Sequence, residues 1–312
     1  MDSKEIARRI LEGDFRAISR AITLVENGSE DQTGREIIKR IYSKTGRAKI
    51  IGITGPPGVG KSTIIGNIAA ILKGNGRKVA VLAVDASSPF TNGTFLGNRI
   101  RMQDILFRNN IFMRSLSTRG STGGLSISVW DSVRILDAAG FDIIIIETVG
   151  AGQADLDILD IADTILVVLA PGLGDEIQAI KAGIMEIASI FVINKVDRED
   201  ALIAIKDIED SLSLLPQGTW KVPVVGLDSI KLKGYEELIR LIELHFNLPE
   251  SLRDKKERFL KEVTEILRND FNLKIKKVVS NSSDEIATLE EGTDPYTIAD
   301  NLSRKISHSD NI

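Results

Sequence analysis

The sequence predicts an α/β protein with a doubly wound, mostly parallel sheet and helical extensions at both ends. Two observations carry this prediction. From about residue 47 to residue 245, short and continuously apolar runs alternate with helical patterns, as expected when helices cover both faces of a parallel sheet. The chemically distinctive motifs all follow such runs, and the carboxyl ends of parallel strands are where open sheets bind their ligands.

The first 46 residues are predicted to form a helical extension. Apolar residues recur at helical spacing from Ile6 to Val25, and a second stripe runs from Ile37 to Tyr42. This spacing predicts two amphipathic helices. Because such stripes are usually buried, we expect these helices to pack onto the main domain or onto a partner.

The central domain, residues 47–245, is predicted to contain seven strands separated by helices. The expected strands are 49–54, 78–85, 111–116, 142–148, 164–170, 190–194 and 222–227.

The last segment, residues 246–312, begins where Asn247-Leu248-Pro249 breaks the alternating pattern. A charged helix is expected next, then a polar stretch, and a last short helix after Asp294-Pro295-Tyr296. Two elements are too few for an independent core. We therefore expect an arm that completes a dimer or docks onto the sheet.

Composition narrows the classes of function. The chain has 312 residues, a net charge of −4 and no cysteine, which excludes disulfides, thiolate metal sites and cysteine catalysis. The charge gives no sign of a nucleic-acid partner. We also expect no membrane partner and a cytoplasmic protein, because no apolar run has membrane-spanning length and the start lacks a signal-peptide core. His245 and His308 lie far from every motif and are expected at the surface or in packing.

The strongest motif is the segment GPPGVGKS at residues 55–62. It stands between a predicted strand and a helical pattern, which is the context of a phosphate-binding P-loop. Backbone N–H groups at the helix start close around phosphate, the Lys reaches the outer phosphates, and the Ser hydroxyl holds Mg²⁺. An ordinary Gly-rich turn is the alternative. The candidate nucleotide-binding residues are Gly55, Pro57, Gly58, Val59, Gly60, Lys61, Ser62 and Thr63, with Lys61 also a candidate catalytic residue and Ser62 a candidate metal ligand.

A second motif, Asn194-Lys195-Val196-Asp197, directly follows the apolar run 190–193 of a predicted strand. The Asp carboxylate can accept hydrogen bonds from guanine N1–H and from its exocyclic amine, which adenine cannot supply. The Lys stem can cover the base, and the Asn can tie the loop to the P-loop. The wrong base would leave a carboxylate without a partner, so Asn194, Lys195 and Asp197 predict GTP and GDP rather than ATP as ligands.

Glu147 lies next to the end of the predicted strand 142–148, and Gly150 follows three residues later. In P-loop proteins this position holds the carboxylate that serves Mg²⁺, and the Gly N–H can contact the γ-phosphate. Glu147 is therefore a candidate catalytic residue and metal ligand. Gln153 could orient an attacking water. Asp85, at the end of another predicted strand, is a further candidate metal ligand, although a solvated strand-end Asp is the alternative.

Together these motifs make the chain similar to the MeaB/ArgK family of P-loop GTPases over nearly its whole length. The residues that carry the resemblance are 52–62, 84–90, 96–102, 118–120, 123–125, 147–153, 171–186 and 294–296. The resemblance implies a SIMIBI-class GTPase, usually dimeric, with Mg²⁺ as cofactor. It also implies a chaperone that gates cofactor loading into an adenosylcobalamin-dependent methylmalonyl-CoA-type mutase and protects that enzyme.

The chain departs from the family pattern at several positions. Asn98 stands where the family usually has an Asp of the metal-binding switch, so we expect weaker Mg²⁺ binding at that candidate ligand and slow hydrolysis without the client. Ser121 replaces a common His, and Asp155 a common Glu. The family's base-contacting loop is also altered at Leu227-Asp228-Ser229, where Asp228 and Ser229 are candidate nucleotide-binding residues.

Three other functions stay open on the sequence alone. One is a metallochaperone GTPase, which the absence of Cys and the isolation of both His disfavour. Another is a P-loop ATPase or kinase linked to amino-acid transport, which Asp197 disfavours. The third is a nucleotide-dependent scaffold in which Asn98 has weakened catalysis.

Overall fold

The structure is a computed structural model of the 312-residue chain. It describes residues 1–27, 32–85, 105–117, 127–148, 161–172, 185, 187–214, 219–249, 252–282 and 294–308. The chain forms two compact units, Met1–Glu250 and Ser251–Ile312. The predicted boundaries at residues 46 and 245 stay predictions.

The described helices and strands alternate as expected through the central part of the chain. The helices are α1 (Ser3–Leu11), α2 (Phe15–Glu26), α3 (Thr33–Ile41), α4 (Lys61–Gly74), α5 (Ile127–Ala138), α6 (Ala201–Ser213), α7 (Tyr235–Phe246), α8 (Leu252–Asn281) and α9 (Pro295–His308). The strands are β1 (Lys49–Thr54), β2 (Val79–Asp85), β3 (Phe112–Ser117), β4 (Ile143–Thr148), β5 (Thr164–Leu169), β6 (Ile190–Asn194) and β7 (Val224–Leu227).

The seven described strands form one sheet in the order β3-β2-β4-β1-β5-β6-β7. Every pairing among them is parallel, which confirms the predicted doubly wound α/β fold. Strand β1 lies between β4 and β5, so the loops after these three strands open at the same edge. The P-loop and the Glu147 region therefore meet at this edge.

Helices cover both faces of the sheet, and each face has its own hydrophobic core. One core joins the sheet to α4 and α7, and the other joins it to α1, α2, α3, α5 and α6. Successive residues of β2 divide between them: Val81 faces the first core and Leu82 the second. Burial on both faces explains why the strands read as continuously apolar runs rather than as alternating ones.

The N-terminal extension contains three helices and a short 3-10 turn at Tyr42–Lys44, so the prediction of two helices was wrong. The first apolar stripe is cut at Gly13, which takes a φ of 76°, a conformation that favours glycine. Asp14 then caps α2, accepting hydrogen bonds from the backbone N–H groups of Arg16 (2.8 Å) and Ala17 (3.0 Å). These helices pack into the same core as α5.

The predicted strands 49–54 and 190–194 coincide with the observed ones, and the ends of the other five differ by at most two residues. The largest difference is at β7, predicted from residue 222 and observed from Val224. Pro223 has no N–H to donate to the ladder, although its carbonyl still accepts a hydrogen bond from Phe191 N–H at 2.9 Å.

His245, on α7, is a packing residue, as expected. Its Nδ1 lies 2.8 Å from the Thr164 hydroxyl, and its ring meets the Trp220 ring edge-on at 5.0 Å. Burial lowers the pKa of His245 below its ordinary value, against a smaller opposing effect of Asp163.

This lowered pKa predicts a dependence of stability on pH. At acid pH the unfolded chain binds a proton at His245 more readily than the folded protein does, so the free energy of unfolding should fall as the pH drops through about 6.5. His245→Gln removes the titrating group, and its stability should fall less over the same pH range. Urea unfolding of both proteins at several pH values checks this. Parallel stability curves would show that His245 does not contribute.

The C-terminal unit contains α8 and α9. Its α8 is 30 residues long and continues to Asn281, two residues into the polar stretch expected to end it. Asp294 caps α9, accepting hydrogen bonds from the backbone N–H groups of Tyr296 (2.9 Å) and Thr297 (3.0 Å). Among the described residues, no helix is both long enough and apolar enough to cross a membrane.

Candidate functional site

The P-loop connects the end of β1 to the start of α4, as its sequence predicts. Gly55 has a φ of 138°, and a Cβ there would lie 2.0 Å from the Val168 carbonyl oxygen of β5. Only glycine fits this approach. The loop is thus held against the neighbouring strand, while Pro57 and Gly58 are exposed and Val59 is buried. Gly60 and Thr63 flank the first turn of α4, and Gly60 O accepts the Thr63 N–H hydrogen bond at 3.1 Å.

The Lys61 ammonium is folded back over the P-loop. Its Nζ donates to the carbonyl oxygens of Gly55 at 2.6 Å and Pro56 at 3.0 Å, and the residue is only 7% exposed. A buried cation held by backbone carbonyls at a helix N-terminus suits an anionic ligand, because both the charge and the N–H dipoles of the first turn favour phosphate.

Ser62 and Glu147 come together at the carboxyl edge of the sheet. The Ser62 hydroxyl donates to Glu147 Oε1 at 3.0 Å. The two residues are 85 positions apart in sequence, and the pairing of β1 with β4 brings them to one place. A hydroxyl and a carboxylate are oxygen ligands of the kind that Mg²⁺ prefers, so the donor set fits this ion.

For four other candidate site residues, the structure describes only the backbone or does not describe the residue. Asp85 ends β2, which pairs with β4 beside Glu147, and its side chain lies outside the description. Asn98, Gly150 and Gln153 lie outside the described residues.

The Asn194–Asp197 loop is joined to the P-loop through its first two residues. Asn194 is 3% exposed, and its Nδ2 donates to the Val59 carbonyl at 2.8 Å. Lys195 takes a φ of 62° and donates from Nζ to the Gly58 carbonyl at 3.0 Å. The unusual left-handed turn at Lys195 thus directs the ammonium to the P-loop.

Asp197 is exposed beside these contacts. Within the part of the chain that the structure describes, its carboxylate forms no hydrogen bond or ion pair. A carboxylate in this position is available to accept hydrogen bonds from a ligand.

Asp228 and Ser229 lie in the loop after β7, next to Asn194. Asp228 Oδ1 accepts from the backbone N–H groups of Lys231 (2.9 Å) and Ile230 (3.0 Å). These bonds, that of Lys231 foremost, hold the pKa of Asp228 below its ordinary range. Asp228 therefore shapes the loop. Ser229 donates from its hydroxyl to Asn194 Oδ1 at 2.7 Å.

Two residues in this region escaped the sequence analysis, Asn67 of α4 and Tyr235 of α7. Asn67 Nδ2 donates to Ser229 O at 3.1 Å and to the Tyr235 hydroxyl at 3.0 Å. Sequence spacing gave no signal for either contact, since Asn67 and Tyr235 lie 168 positions apart.

Gly60 provides a direct test of how tightly this site is built. A Cβ at Gly60 would lie 2.3 Å from Asn194 Nδ2, and its φ is 100°. We expect Gly60→Ala to destabilise the protein by about 1–3 kcal/mol and to weaken GDP binding at least about tenfold, because both the backbone and the Asn194 contact must move. Thermal unfolding and calorimetric titration measure the two effects. Gly74→Ala at the end of α4, where a Cβ meets nothing within 4 Å, is the matched control. Similar behaviour of the two variants would contradict the close packing at Gly60.

Comparison with known proteins agrees with this geometry. The sequence model of the family described as methylmalonyl-CoA mutase-associated GTPase MeaB matches residues 18–282. The chain belongs to the MeaB family of GTPases. The resemblance inferred from the motifs is therefore confirmed, and so is the assignment as a GTPase.

Individual relatives of this MeaB-family protein align with different fractions of its length. A Pyrococcus horikoshii protein named as a GTPase is 43% identical over 311 residues, covering 97% of this chain and 98% of its own. The GTPase ArgK of Escherichia coli is 34% identical over 241 residues, with 75% and 73% covered. The mitochondrial methylmalonic aciduria type A homolog of Caenorhabditis elegans is 38% identical over 207 residues, with 62% and 52% covered.

Solved structures show the same fold. The crystal structure described as an LAO/AO transport system kinase superposes with a TM-score of 0.68 at 26% identity, covering 98% of this chain and 97% of that one. HypB from Helicobacter pylori, solved in complex with nickel, superposes with a TM-score of 0.50 at 18% identity, covering 70% and 95%. The second likeness concerns the fold alone.

Proposed function

We propose that this MeaB-family GTPase binds GTP and GDP with Mg²⁺ and acts as a nucleotide-dependent chaperone of an adenosylcobalamin-dependent methylmalonyl-CoA-type mutase. The observation that carries the proposal is the junction of the two motifs. Asn194 and Lys195 donate to the carbonyls of Val59 and Gly58, so the Asn194–Asp197 loop and the P-loop form one continuous surface.

The proposed division of roles follows from this surface. Lys61 and the N–H groups at the start of α4 bind the phosphates, while Asp197 accepts the two hydrogen bonds that guanine offers. Discrimination against adenine arises because adenine leaves the Asp197 carboxylate without donors. An ATPase or kinase would gain nothing from a carboxylate at this position.

Ser62 and Glu147 are the residues that would hold Mg²⁺, with Asp85 and Asn98 as further proposed ligands. When bound, the ion neutralises charge on the phosphate oxygens. Ser62 and Glu147 already lie within hydrogen-bond distance, so the chain orients both oxygen donors at the phosphate end of the site.

Hydrolysis is attack of water on the γ-phosphate, helped mainly by positioning and charge neutralisation. Lys61 supplies a fixed positive charge from the chain itself. Gln153 is the proposed water-orienting residue and Gly150 the proposed γ-phosphate contact. We expect slow turnover by the purified protein, because an amide at Asn98 binds Mg²⁺ less strongly than a carboxylate does.

The client is proposed from the family description and from the relative named for methylmalonic aciduria type A. A client that binds the GTP and GDP states with different affinity is regulated by hydrolysis.

We further propose that the protein acts as a homodimer in the cytoplasm. The long helix α8 carries exposed apolar side chains at positions 260, 267, 271 and 275, each 42–57% exposed. Their spacing of seven, four and four residues places them on one helix face. Such a stripe suits association with a second copy.

The experiment that tests the chaperone role is co-purification with a purified methylmalonyl-CoA mutase in the presence of GDP, a non-hydrolysable GTP analogue, or no nucleotide. We expect a complex whose affinity differs between the two nucleotides, together with faster GTP hydrolysis in the complex. Selective GDP binding without any effect of the mutase would leave the GTPase assignment intact and overturn the chaperone role.

A further inference from the structure

A chain of partly buried hydrogen bonds leads from α4 through α7 to the P-loop, where its last bond is buried. It passes through four side chains: Asn67, Tyr235, Ser229 and Asn194. It ends at the Val59 carbonyl of the P-loop. We call these four side chains the relay.

The direction of every proton in the relay is fixed by the chemistry of its members. The Ser229 hydroxyl has a single proton, which it donates to Asn194 Oδ1 at 2.7 Å. The 2.9 Å contact between Ser229 and Tyr235 must therefore be donated by the Tyr235 hydroxyl. That hydroxyl in turn accepts from Asn67 Nδ2, which can only donate.

The Val59 carbonyl determines how the Asn194 amide is turned. A carbonyl oxygen can only accept, so Nδ2 faces the P-loop and donates to Val59 O at 2.8 Å, which leaves Oδ1 facing Ser229. A flipped amide would place two acceptors opposite each other at Val59, and the hydrogen bond from the Ser229 hydroxyl to Oδ1 adds a second contact that holds the observed orientation. Hydrogen bonds aligned in one direction also polarise and strengthen one another.

The position of Tyr235 is itself closely determined. The residue is 2% exposed and is the first residue of α7. Gly234 before it has a φ of 82°, and a Cβ there would lie 2.2 Å from the Gly226 carbonyl oxygen. The close approach of α7 to β7 thus sets the Tyr235 hydroxyl against Ser229 and Asn67.

We propose that Tyr235 and Asn67 are positioning residues that fix the Asn194 amide through Ser229 and so hold the Asn194–Asp197 loop against the P-loop. The proposal rests on the proposed guanine-nucleotide site. In this proposal neither residue contacts the nucleotide. Their effect on binding passes through Ser229 and Asn194, and Asn194 begins the loop that carries Asp197.

The test compares the affinities of the full-length protein for GDP and for inosine diphosphate, which lacks the exocyclic amine. Tyr235→Phe removes only the hydroxyl, and we expect about fivefold weaker GDP binding. The preference for GDP over inosine diphosphate should fall at least about twofold, because the Asp197 contact to the amine is the one that loses its position. A general loosening of the fold would weaken both ligands equally. Tyr42→Phe, on a 46% exposed tyrosine, is the matched control and should bind as the unmodified protein does.

Two further variants separate a relay from independent contacts. Asn67→Asp replaces the donor by an acceptor that faces the Ser229 carbonyl, and we expect about tenfold weaker GDP binding even if Tyr235→Phe proves unstable. The double variant Tyr235→Phe/Ser229→Ala should bind GDP as Ser229→Ala does, since Tyr235 acts only through Ser229. Additive losses would overturn the relay.

The outcomes also separate the relay from the proposed function. If the unmodified protein prefers GDP and Tyr235→Phe binds equally well, the relay is wrong and the nucleotide site stands. If the unmodified protein binds ADP as tightly as GDP, the guanine site is wrong. The relay then still predicts weaker binding of either nucleotide in Tyr235→Phe, through Val59, and unchanged binding overturns it as well. If neither nucleotide binds, both proposals fail.

Discussion

Asp197→Asn should lower the affinity for GDP at least about 100-fold and leave the affinity for ADP almost unchanged. The substituted amide keeps one acceptor for guanine N1–H or for the amine but turns a donor toward the other. Because Asp197 is exposed and forms no hydrogen bond with any described residue, the substitution should not disturb the fold. Displacement of a fluorescent GDP analogue by unlabelled GDP and ADP measures both affinities.

Asp207→Asn on α6 is the matched control, since Asp207 is also exposed. Its GDP affinity should equal that of the unmodified protein. If Asp197→Asn retains its preference for guanine, some other group reads the base, and the role proposed for the Asn194–Asp197 loop is wrong.

Lys61→Ala should reduce the rate of GTP hydrolysis by about 100-fold or more, because the transition state loses the fixed positive charge that the chain itself supplies. Nucleotide affinity should fall as well, since Lys61 also faces the ground-state phosphates. Phosphate release under single-turnover conditions, with GTP bound at saturation, separates the two effects.

Lys73→Ala, at the far end of the same helix, controls for the loss of a lysine. Lys73 Nζ donates to the carbonyl oxygens of Asn109 and of Asn110, the latter at 2.9 Å, away from the phosphate end of α4. Its hydrolysis rate should be unchanged. Equal rates in the unmodified protein and in Lys61→Ala would mean that Lys61 only folds the P-loop.

Much of the fold could be predicted from the sequence, for a physical reason that particular strands illustrate. Strands buried on both faces, such as β4 and β5, carry runs of four and five consecutive apolar residues, so their position is visible without knowledge of their neighbours. The N-terminal helices were less visible, because the apolar periodicity continues across Gly13 and hides the break there.

Some parts of the candidate site could also be predicted from the sequence and others could not. The P-loop and the Asn194–Asp197 loop are short local segments, and the spacing of their residues indicates which ligand groups they bind. The meeting of Ser62 with Glu147 followed from the expected parallel sheet. The bonds that Ser229 makes to Asn194 and Tyr235 depend on how α7 packs against β7 and α4, and no local pattern encodes that packing.

Titration calorimetry of the unmodified protein with GDP and with ADP, both in Mg²⁺, is the decisive experiment for the guanine-specific site proposed in this MeaB-family GTPase. We expect GDP binding at one site per chain and at least about 100-fold weaker binding of ADP. Equal affinity for the two nucleotides would contradict a guanine-specific site and would assign the P-loop to an adenine nucleotide.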